Sequence, residues 1–281
     1  MTLPRVKIAG VVGDPISHSL SPVLHGYWLK KYDIKGEYEA FHVAPNELPD
    51  FIKRLKTNKI EGVNFTVPHK ESVMGLVDEL DSAAEKIGAV NTVYFTDEGK
   101  LLGSNTDGYG FIKNLKQSIT NWISTNKVAV IIGAGGAARA ATVSLLDDGI
   151  DEIRLINRTH SRAVALSEEI GDKRIKAILW DDYEQALLGA DLLVNVTTLG
   201  MTGQPELVLN INNLPIGAVV YDIVYNPLET DLLKRARERG NKTVDGLGML
   251  LHQAAPGFKA WFGIFPEVDD DLRHHLIKAL A

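Results

Sequence analysis

Apolar runs and amphipathic stretches alternate along this chain from end to end. Val6 to Val12 reads as a buried strand, and Ser21-Pro22 then supplies an N-cap and a proline for the first helical position of the stretch that follows. Tyr38 to Val43 is strand-like, and Asn46 to Leu55 reads as a capped amphipathic helix. Strand returns at Gly62 to Val67, helix at Asp81 to Ile87, and strand at Ala89 to Phe95. A turn at Asp97-Glu-Gly-Lys100 leads into Leu101 to Asn105. The second half keeps the rhythm, with strands expected at 128–132, 152–156, 175–179, 191–196 and 217–222. Helices are expected at 136–148, 160–170, 182–188 and Glu229 to Arg239, with Gly149, Gly171 and Gly240 where helices should stop. Leu247 to Phe262 and Asp269 to Leu280 close the chain as two further helices.

Strand–helix alternation of this kind predicts an α/β protein. About 125 residues precede the strand at 128, enough for a domain of their own, and the two last helices have no glycine turn to serve. Such a tail commonly crosses back to brace the first domain. The expectation is therefore a discontinuous substrate domain, 1–106 with 246–281, around an inserted cofactor domain, 107–245. The active site is expected in the cleft between them, with domain closure on binding.

Composition narrows the class without naming a chemistry. The 281 residues are 45% hydrophobic and 23% charged, with a formal charge of −6, which argues against nucleic acid or anionic membrane as the main partner. The absence of cysteine excludes disulfides and thiolate metal sites. Met1-Thr-Leu-Pro-Arg-Val-Lys7 lacks the basic-then-apolar layout of a signal peptide, and no apolar stretch nears the roughly 18 residues of a membrane helix. A soluble cytoplasmic protein is expected, as a monomer or a homodimer.

One turn carries a chemical signal by itself. Gly133-Ala134-Gly135-Gly136-Ala137-Ala138 follows the run Val128 to Ile132 and opens the helix, fitting G-x-G-x-x-G/A. Bare backbone there lets N–H groups approach a pyrophosphate that the helix dipole favours. About 20 residues on, where NAD-binding folds place an acid for the ribose hydroxyl, the chain reads Asn157-Arg158-Thr159, with Arg162 nearby. A missing acid and a present guanidinium favour a 2′-phosphate, hence NADP(H) over NAD(H). The alternative is an ordinary strand–helix turn followed by solvated arginines.

Polar-rich stretches stand at what should be strand ends: Ser17-His-Ser19, Asn64-Phe-Thr66-Val-Pro68-His-Lys70, Ala89-Val-Asn91-Thr92 and Asn105-Thr-Asp107-Gly108. Farther on come Asn195 to Met201, Tyr225-Asn-Pro227 and Asp245-Gly246 to Gln253-Ala. In an α/β sheet ligands collect at the carboxyl ends of strands, so hydroxyls, amides, one lysine and one aspartate there suit a small, heavily oxygenated substrate. Each stretch alone reads as turn chemistry.

As a set they resemble one family, the shikimate dehydrogenases with the related quinate/shikimate dehydrogenases, from about Ile8 to Gln253. The resemblance implies a two-domain protein whose N-terminal α/β substrate domain is completed by the C-terminal helices, beside a Rossmann-type NADP-binding domain. It implies reversible reduction of 3-dehydroshikimate to shikimate with NADPH in aromatic amino-acid biosynthesis. Lys70 would be the general acid/base and Asp107 its partner and a substrate ligand. An N-cap is the other reading of Asp107, and both could hold. Ser17 and Ser19 would grip the substrate carboxylate, though turn chemistry ahead of Ser21-Pro22 explains them as well. Thr66, Asn91 and Gln253 would meet ring hydroxyls, against satisfied polar strand ends and a helix-face amide as the alternatives. Tyr225 would line the substrate pocket or be an edge aromatic. Gly133, Ala134, Gly135, Gly136, Ala137, Asn157, Arg158, Thr159 and Arg162 would hold the phosphates and adenosine, while Ile223 and Gly246 would flank the nicotinamide. Asn195, Thr197 and Met201 would shape the same wall.

His69 adjoins Lys70, but on a regular strand it would point the opposite way. His274 and His275 read as solvated, no pair has zinc-ligand spacing, and no metal is expected. Two other functions stay in view: a quinate/shikimate dehydrogenase with broader substrate and cofactor use, and a non-catalytic NADP sensor. Intact Ser17 and Ser19 lean toward shikimate, and a sensor would be free to lose Lys70 or Asp107.

Overall fold

Two sheets organise the chain, one in each of two units. The computed structural model describes residues 5–58 and 60–280, so Met1 to Pro4 of the leading stretch Met1 to Lys7 lie outside the described residues. One unit comprises Met1–Thr106 and Leu251–Ala281, the other Asp107–Leu250.

The first unit contains β1 (Lys7–Gly13), α1 (Ser21–Lys31), β2 (Gly36–His42), α2 (Leu48–Thr57), β3 (Ile60–Phe65), β4 (Glu79–Leu80), α3 (Ser82–Ile87), β5 (Thr92–Phe95) and β6 (Leu101–Ser104). Its sheet runs β2-β1-β3-β5-β6-β4. Strand β1 is parallel to β2 and β3, while β5 is antiparallel to β3 and β6. The carboxyl ends of β1, β3 and β6 therefore share one edge of the sheet with the amino end of β5.

Two caps differ from the sequence reading. Ser21 is the first residue of α1, and its N–H is met by the Ser19 hydroxyl at 3.3 Å. Asn46 lies in a 3₁₀ turn, Pro45–Glu47, whose Glu47 carboxylate accepts the Ala44 N–H at 3.0 Å. In both places a side chain two or three residues away satisfies the orphan donor. Asp81 caps α3 as its position suggests, accepting from the Ala84 N–H at 2.7 Å.

The second unit holds α4 (Asp107–Ser118), β7 (Val128–Ile132), α5 (Gly136–Asp147), β8 (Glu152–Ile156), α6 (His160–Ile170), β9 (Ile175–Ile178), α7 (Tyr183–Ala186), β10 (Leu192–Asn195), β11 (Val219–Asp222), α8 (Asp231–Arg239) and β12 (Lys242–Val244). Its strands lie in the order β12-β11-β10-β7-β8-β9, every neighbouring pair parallel. In strand sequence this is 6-5-4-1-2-3, the doubly wound dinucleotide-binding topology with its switch point between β7 and β10. Ala129 and Ile131 enter one core and Val130 and Ile132 the other, which is why the strand reads as an unbroken apolar run.

No helix forms between β10 and β11. Leu207, Leu209, Ile211 and Leu214 of that irregular crossover are buried, and its carbonyls are met by side chains from α8 and the residues just after it. Arg235 donates to the Leu209 carbonyl at 2.6 Å, Arg239 to that of Leu214 at 2.9 Å, and Asn241 to those of Pro215, Ile216 and Ala218. Buried backbone needs such partners wherever secondary structure does not supply them.

The chain ends in α9 (Leu247–Phe262) and α10 (Asp270–Leu280). The first turn of α9 stays with the second unit, because Asn114 donates to the Asp245 carbonyl at 2.8 Å. The division between the units falls at Leu251, within the helix. Beyond it α9 packs into the first unit, where the Trp261 indole donates to the Val93 carbonyl at 2.9 Å. Trp28 from α1 donates to the Glu267 carbonyl at 3.0 Å. Within the same aromatic group His25 is fully buried and stacked on Tyr38 at 3.9 Å, with no hydrogen-bond partner at either ring nitrogen. Burial lowers its pKa to about 3, so the ring stays neutral.

Candidate active site

The polar stretches of the first unit meet at the shared sheet edge. After β3 the chain reverses at once: the His69 N–H returns to the Thr66 carbonyl at 2.9 Å across a cis Val67–Pro68 peptide. Residues 66–70 are therefore a turn and not the strand continuation to Val67 that the sequence suggests. His69 is buried. Its buried Nε2–H donates to the Val43 carbonyl at 2.8 Å, which fixes the tautomer because a carbonyl only accepts. Lys70 follows, half-buried, with its carbonyl accepting the Val90 N–H at 2.7 Å. The loop after β1 lies beside this turn, since the Asp14 N–H donates to the Val67 carbonyl at 3.2 Å. Ser17 is exposed and Ser19 half-buried on that loop, so Ser17, Ser19, Thr66 and Lys70 all belong to two adjoining strand exits.

Behind them runs a buried chain of amides and hydroxyls. The Tyr38 hydroxyl donates to Asn64 Oδ1 at 2.7 Å, and Asn64 Nδ2 donates to Thr92 Oγ1 at 2.9 Å and to the Asn91 carbonyl at 3.1 Å. Thr92 passes its own proton to Asn91 Oδ1 at 2.8 Å. That same oxygen accepts the Thr106 N–H at 2.9 Å. Asn91 Nδ2 in turn donates to Thr106 Oγ1 at 3.1 Å, so both ends of the amide are held. Asn91 Nδ2 lies 3.4 Å from Gln253 Oε1 of α9, so the second amide is oriented by the first. Tyr38, Thr92 and Thr106 are members of this network that sequence reading did not single out. The pairing of strands reveals them: β3 with β5 sets Asn64 opposite Thr92, and β5 with β6 brings the chain to Thr106.

Asp107 is buried and opens α4 as its first helical residue, directly after Thr106. Its carboxylate stands in the helix's first turn, where the dipole favours negative charge, although Thr106 holds the N-cap position.

In the second unit the glycine turn takes the form its sequence suggests. Gly133 has φ +124°, a backbone state that excludes other side chains, and its N–H ties to the Ile156 carbonyl at 2.8 Å. Gly135 precedes α5, with no side-chain cap and no acid in the helix's first turn. A Cβ added at Gly135 or Gly136 would meet nothing within 4 Å, so the turn from Ala134 to Ala137 is open on that side. Such a bare helix start suits a pyrophosphate. At the end of β8, Asn157 Nδ2 closes its own loop onto the Thr159 carbonyl at 2.8 Å. Arg158, Thr159 and Arg162 are exposed around it, and no acid ends the strand. These residues fit the 2′-phosphate of NADP(H).

Ile223 and Gly246 are joined through the neighbouring backbone: the Gly246 N–H donates to the Val224 carbonyl at 3.1 Å. Tyr225 is half-buried on the same exit of β11, before a cis Asn226–Pro227 bond. Asn195 is the last residue of β10. It is fully buried and bound to Asp222 at 2.9 Å, because the loop after β10 uses it as an internal tie. Among the described residues no group of three or more His, Asp or Glu could hold a metal ion. Among them, too, no helix is long and apolar enough to cross a membrane.

Comparison with known proteins decides the family. The model of the shikimate dehydrogenase substrate binding domain matches residues 11–93, and that of shikimate / quinate 5-dehydrogenase matches 114–210. The chain belongs to the shikimate/quinate dehydrogenase family. It is 53% identical over 269 residues to a shikimate dehydrogenase (NADP(+)) of Paramagnetospirillum magneticum, covering 96% of this chain and 97% of that one. Among solved structures, a shikimate dehydrogenase in complex with NADP⁺ superposes with a TM-score of 0.89 at 37% identity, over 100% of this chain and 98% of the other. The Thermus thermophilus shikimate 5-dehydrogenase in complex with NADP(H) and shikimate superposes with a TM-score of 0.86 at 35% identity, over 98% and 100%. The family's two matched regions fall one in each unit, the first on the polar sheet edge and the second on the glycine turn.

Proposed function

We propose that this chain is an NADP-dependent shikimate dehydrogenase, reversibly reducing 3-dehydroshikimate to shikimate in the biosynthesis of chorismate and the aromatic amino acids. The observation that carries the reading is the pairing of two sites in one family member. One is a sheet edge of fixed hydroxyls and amides ending in Lys70; the other is a bare helix start followed by Asn157-Arg158-Thr159 with no acid.

Ser17 and Ser19 hold the substrate carboxylate through neutral donors. Thr66, Asn91 and Gln253 take the ring hydroxyls, and the orientation of Asn91 sets the polarity of the contact. Buried hydrogen bonds to Thr92, Thr106 and Gln253 hold that amide, so the hydroxyl it meets must match a fixed pattern of donor and acceptor. Analogues lacking that hydroxyl would leave buried polar groups unpaired and be rejected. Lys70 donates a proton to the ketone oxygen as negative charge develops on it, and takes the hydroxyl proton in the reverse direction. Asp107 hydrogen-bonds the lysine and a substrate hydroxyl. Tyr225, on the exit of β11, is a further substrate residue.

Gly133 makes the turn, the N–H groups from Ala134 to Ala137 hold the pyrophosphate, Asn157, Arg158, Thr159 and Arg162 the adenosine 2′-phosphate, and Ile223 and Gly246 the nicotinamide ring. Bound NADPH supplies the two-electron reducing equivalent. The protein works in the cytoplasm as a monomer or homodimer, on small molecules.

Rates with shikimate or quinate, each with NADP⁺ or NAD⁺, test the reading. Shikimate with NADP⁺ is expected to give the highest kcat/KM of the four pairs. Quinate with NAD⁺ leading would assign the chain to the quinate branch, and no turnover of any pair would end the proposal.

A further inference from the structure

At the carboxyl ends of β10 and β11 lies a buried polar cluster that the roles above do not use. Asp222, the last residue of β11, is fully buried. Its carboxylate accepts from the Thr230 hydroxyl at 2.7 Å, the Val224 N–H at 3.0 Å and Asn195 Nδ2 at 2.9 Å. All three donors are neutral. Burial pushes its pKa up to about 6 against their pull, so the fold keeps a costly group at this place.

The cluster branches into two loops. Asn195 Oδ1 accepts both the N–H and the hydroxyl of Thr197, at 3.0 and 2.7 Å. Thr197 Oγ1 in turn accepts the Leu199 N–H at 3.1 Å. So anchored, the Thr197 methyl stands 3.0 Å from where a Cβ on Gly133 would lie, directly against the first glycine of the turn. On the other branch, the Ile223 N–H donates to the Asn195 carbonyl at 3.0 Å, and Val224 is held by Asp222 itself. A Cβ on Gly246 would come within 1.9 Å of the Ile223 carbonyl oxygen, so these two backbones are in contact. One buried pair thus sets both the segment that packs on Gly133 and the segment that packs on Gly246.

We propose that Asn195 and Asp222 are positioning residues for the dinucleotide, fixing the loops that bracket it at Gly133 and at Ile223–Gly246. The proposal rests on the reading that the second unit holds NADP(H). A carboxylate suits the task because several buried donors converge there and each needs an acceptor in a fixed direction. What the pair holds is loop backbone, where a shift of an ångström is enough to spoil alignment of a bound ring.

The test measures NADPH affinity by its fluorescence, and KM for dehydroshikimate at saturating NADPH, on the full chain. Asn195→Leu is expected to weaken NADPH binding about 10-fold or more, by removing a buried amide that serves several partners. Thr197→Val keeps the methyl against Gly133 and loses the hydroxyl tie; about a 5-fold loss is expected, with melting temperature close to that of the parent protein. Asp222→Asn is expected to stay within about 3-fold, because its amide oxygen still accepts from Val224 and Asn195 while Thr230 turns to accept. Substrate KM should hold within about 2-fold throughout. Should Asn195→Leu not fold, Thr197→Val decides alone. NADPH affinity unchanged in Thr197→Val, or lost in step with substrate affinity, overturns the positioning role. A parent protein that binds no NADPH overturns the cofactor reading beneath it.

Discussion

The two units present different materials at their sheet ends. In the first, side chains do the recognising: Asn91, Thr106 and Gln253 are locked by Tyr38, Asn64 and Thr92 into a network with its donors and acceptors assigned. In the second, main chain does it: Gly133 makes the turn, and Gly135 and Gly136 leave the uncapped start of α5 bare of side chains. The first arrangement discriminates between hydroxyl patterns, since an unmatched donor is costly. The second grips phosphate regardless of what is attached, and leaves the choice of dinucleotide to Arg158 and its neighbours.

Breaking one half should leave the other intact, and Asn91→Ala is the largest such break. It strands the Thr106 N–H and the Thr92 hydroxyl, so kcat/KM for shikimate should fall about 100-fold or more, with NADPH affinity near that of the parent protein in a direct titration. On the other side, Arg158→Ala with Arg162→Ala removes charge-assisted contacts to a phosphate. The KM for NADP⁺ should rise about 10- to 100-fold while that for NAD⁺ scarcely moves, measured at saturating shikimate.

Smaller effects sharpen the contrast. Tyr38→Phe removes one buried hydrogen bond behind Asn91, and about a 5-fold rise in shikimate KM is expected with kcat and cofactor KM unchanged.

Acid should act on the two units with opposite sign. His25, at about 3 when folded against an ordinary 6.5, contributes stability that is present above pH 6.5 and lost as pH falls toward 3. Asp222, raised from 3.8 to about 6, contributes stability present below 3.8 and lost as pH rises through 6. Denaturant unfolding from pH 4 to 7 should therefore show His25→Phe removing a rise with pH, and Asp222→Asn removing a fall.

The same difference in materials explains what the sequence makes legible. Strands β7 and β8 and helix α6 begin and end where the pattern sets them, because residues buried on both faces leave continuous apolar runs and glycine or polar residues end them. The glycine turn and the absent acid are local facts and can be read locally. Strand β4 has two residues, too few for any period, and β5 starts at Thr92 because the Val90 N–H leaves the ladder for the Lys70 carbonyl. Irregular chain between β10 and β11 stays buried through donors from Arg235, Arg239 and Asn241, some 25 residues away. Tyr38 looks like one more strand aromatic until Asn64 is brought to it. The tie from Asn195 to Asp222 is invisible in sequence because the two lie 27 residues apart. Distant partners, and not residue types, carry that part of the site.

Replacing Lys70 tests the central claim most directly. Lys70→Ala should reduce dehydroshikimate about 10²- to 10⁴-fold more slowly with NADPH, while binding both ligands with affinities near those of the parent protein. Turnover equal to the parent's would contradict a proton-donating lysine at the polar edge of the first sheet.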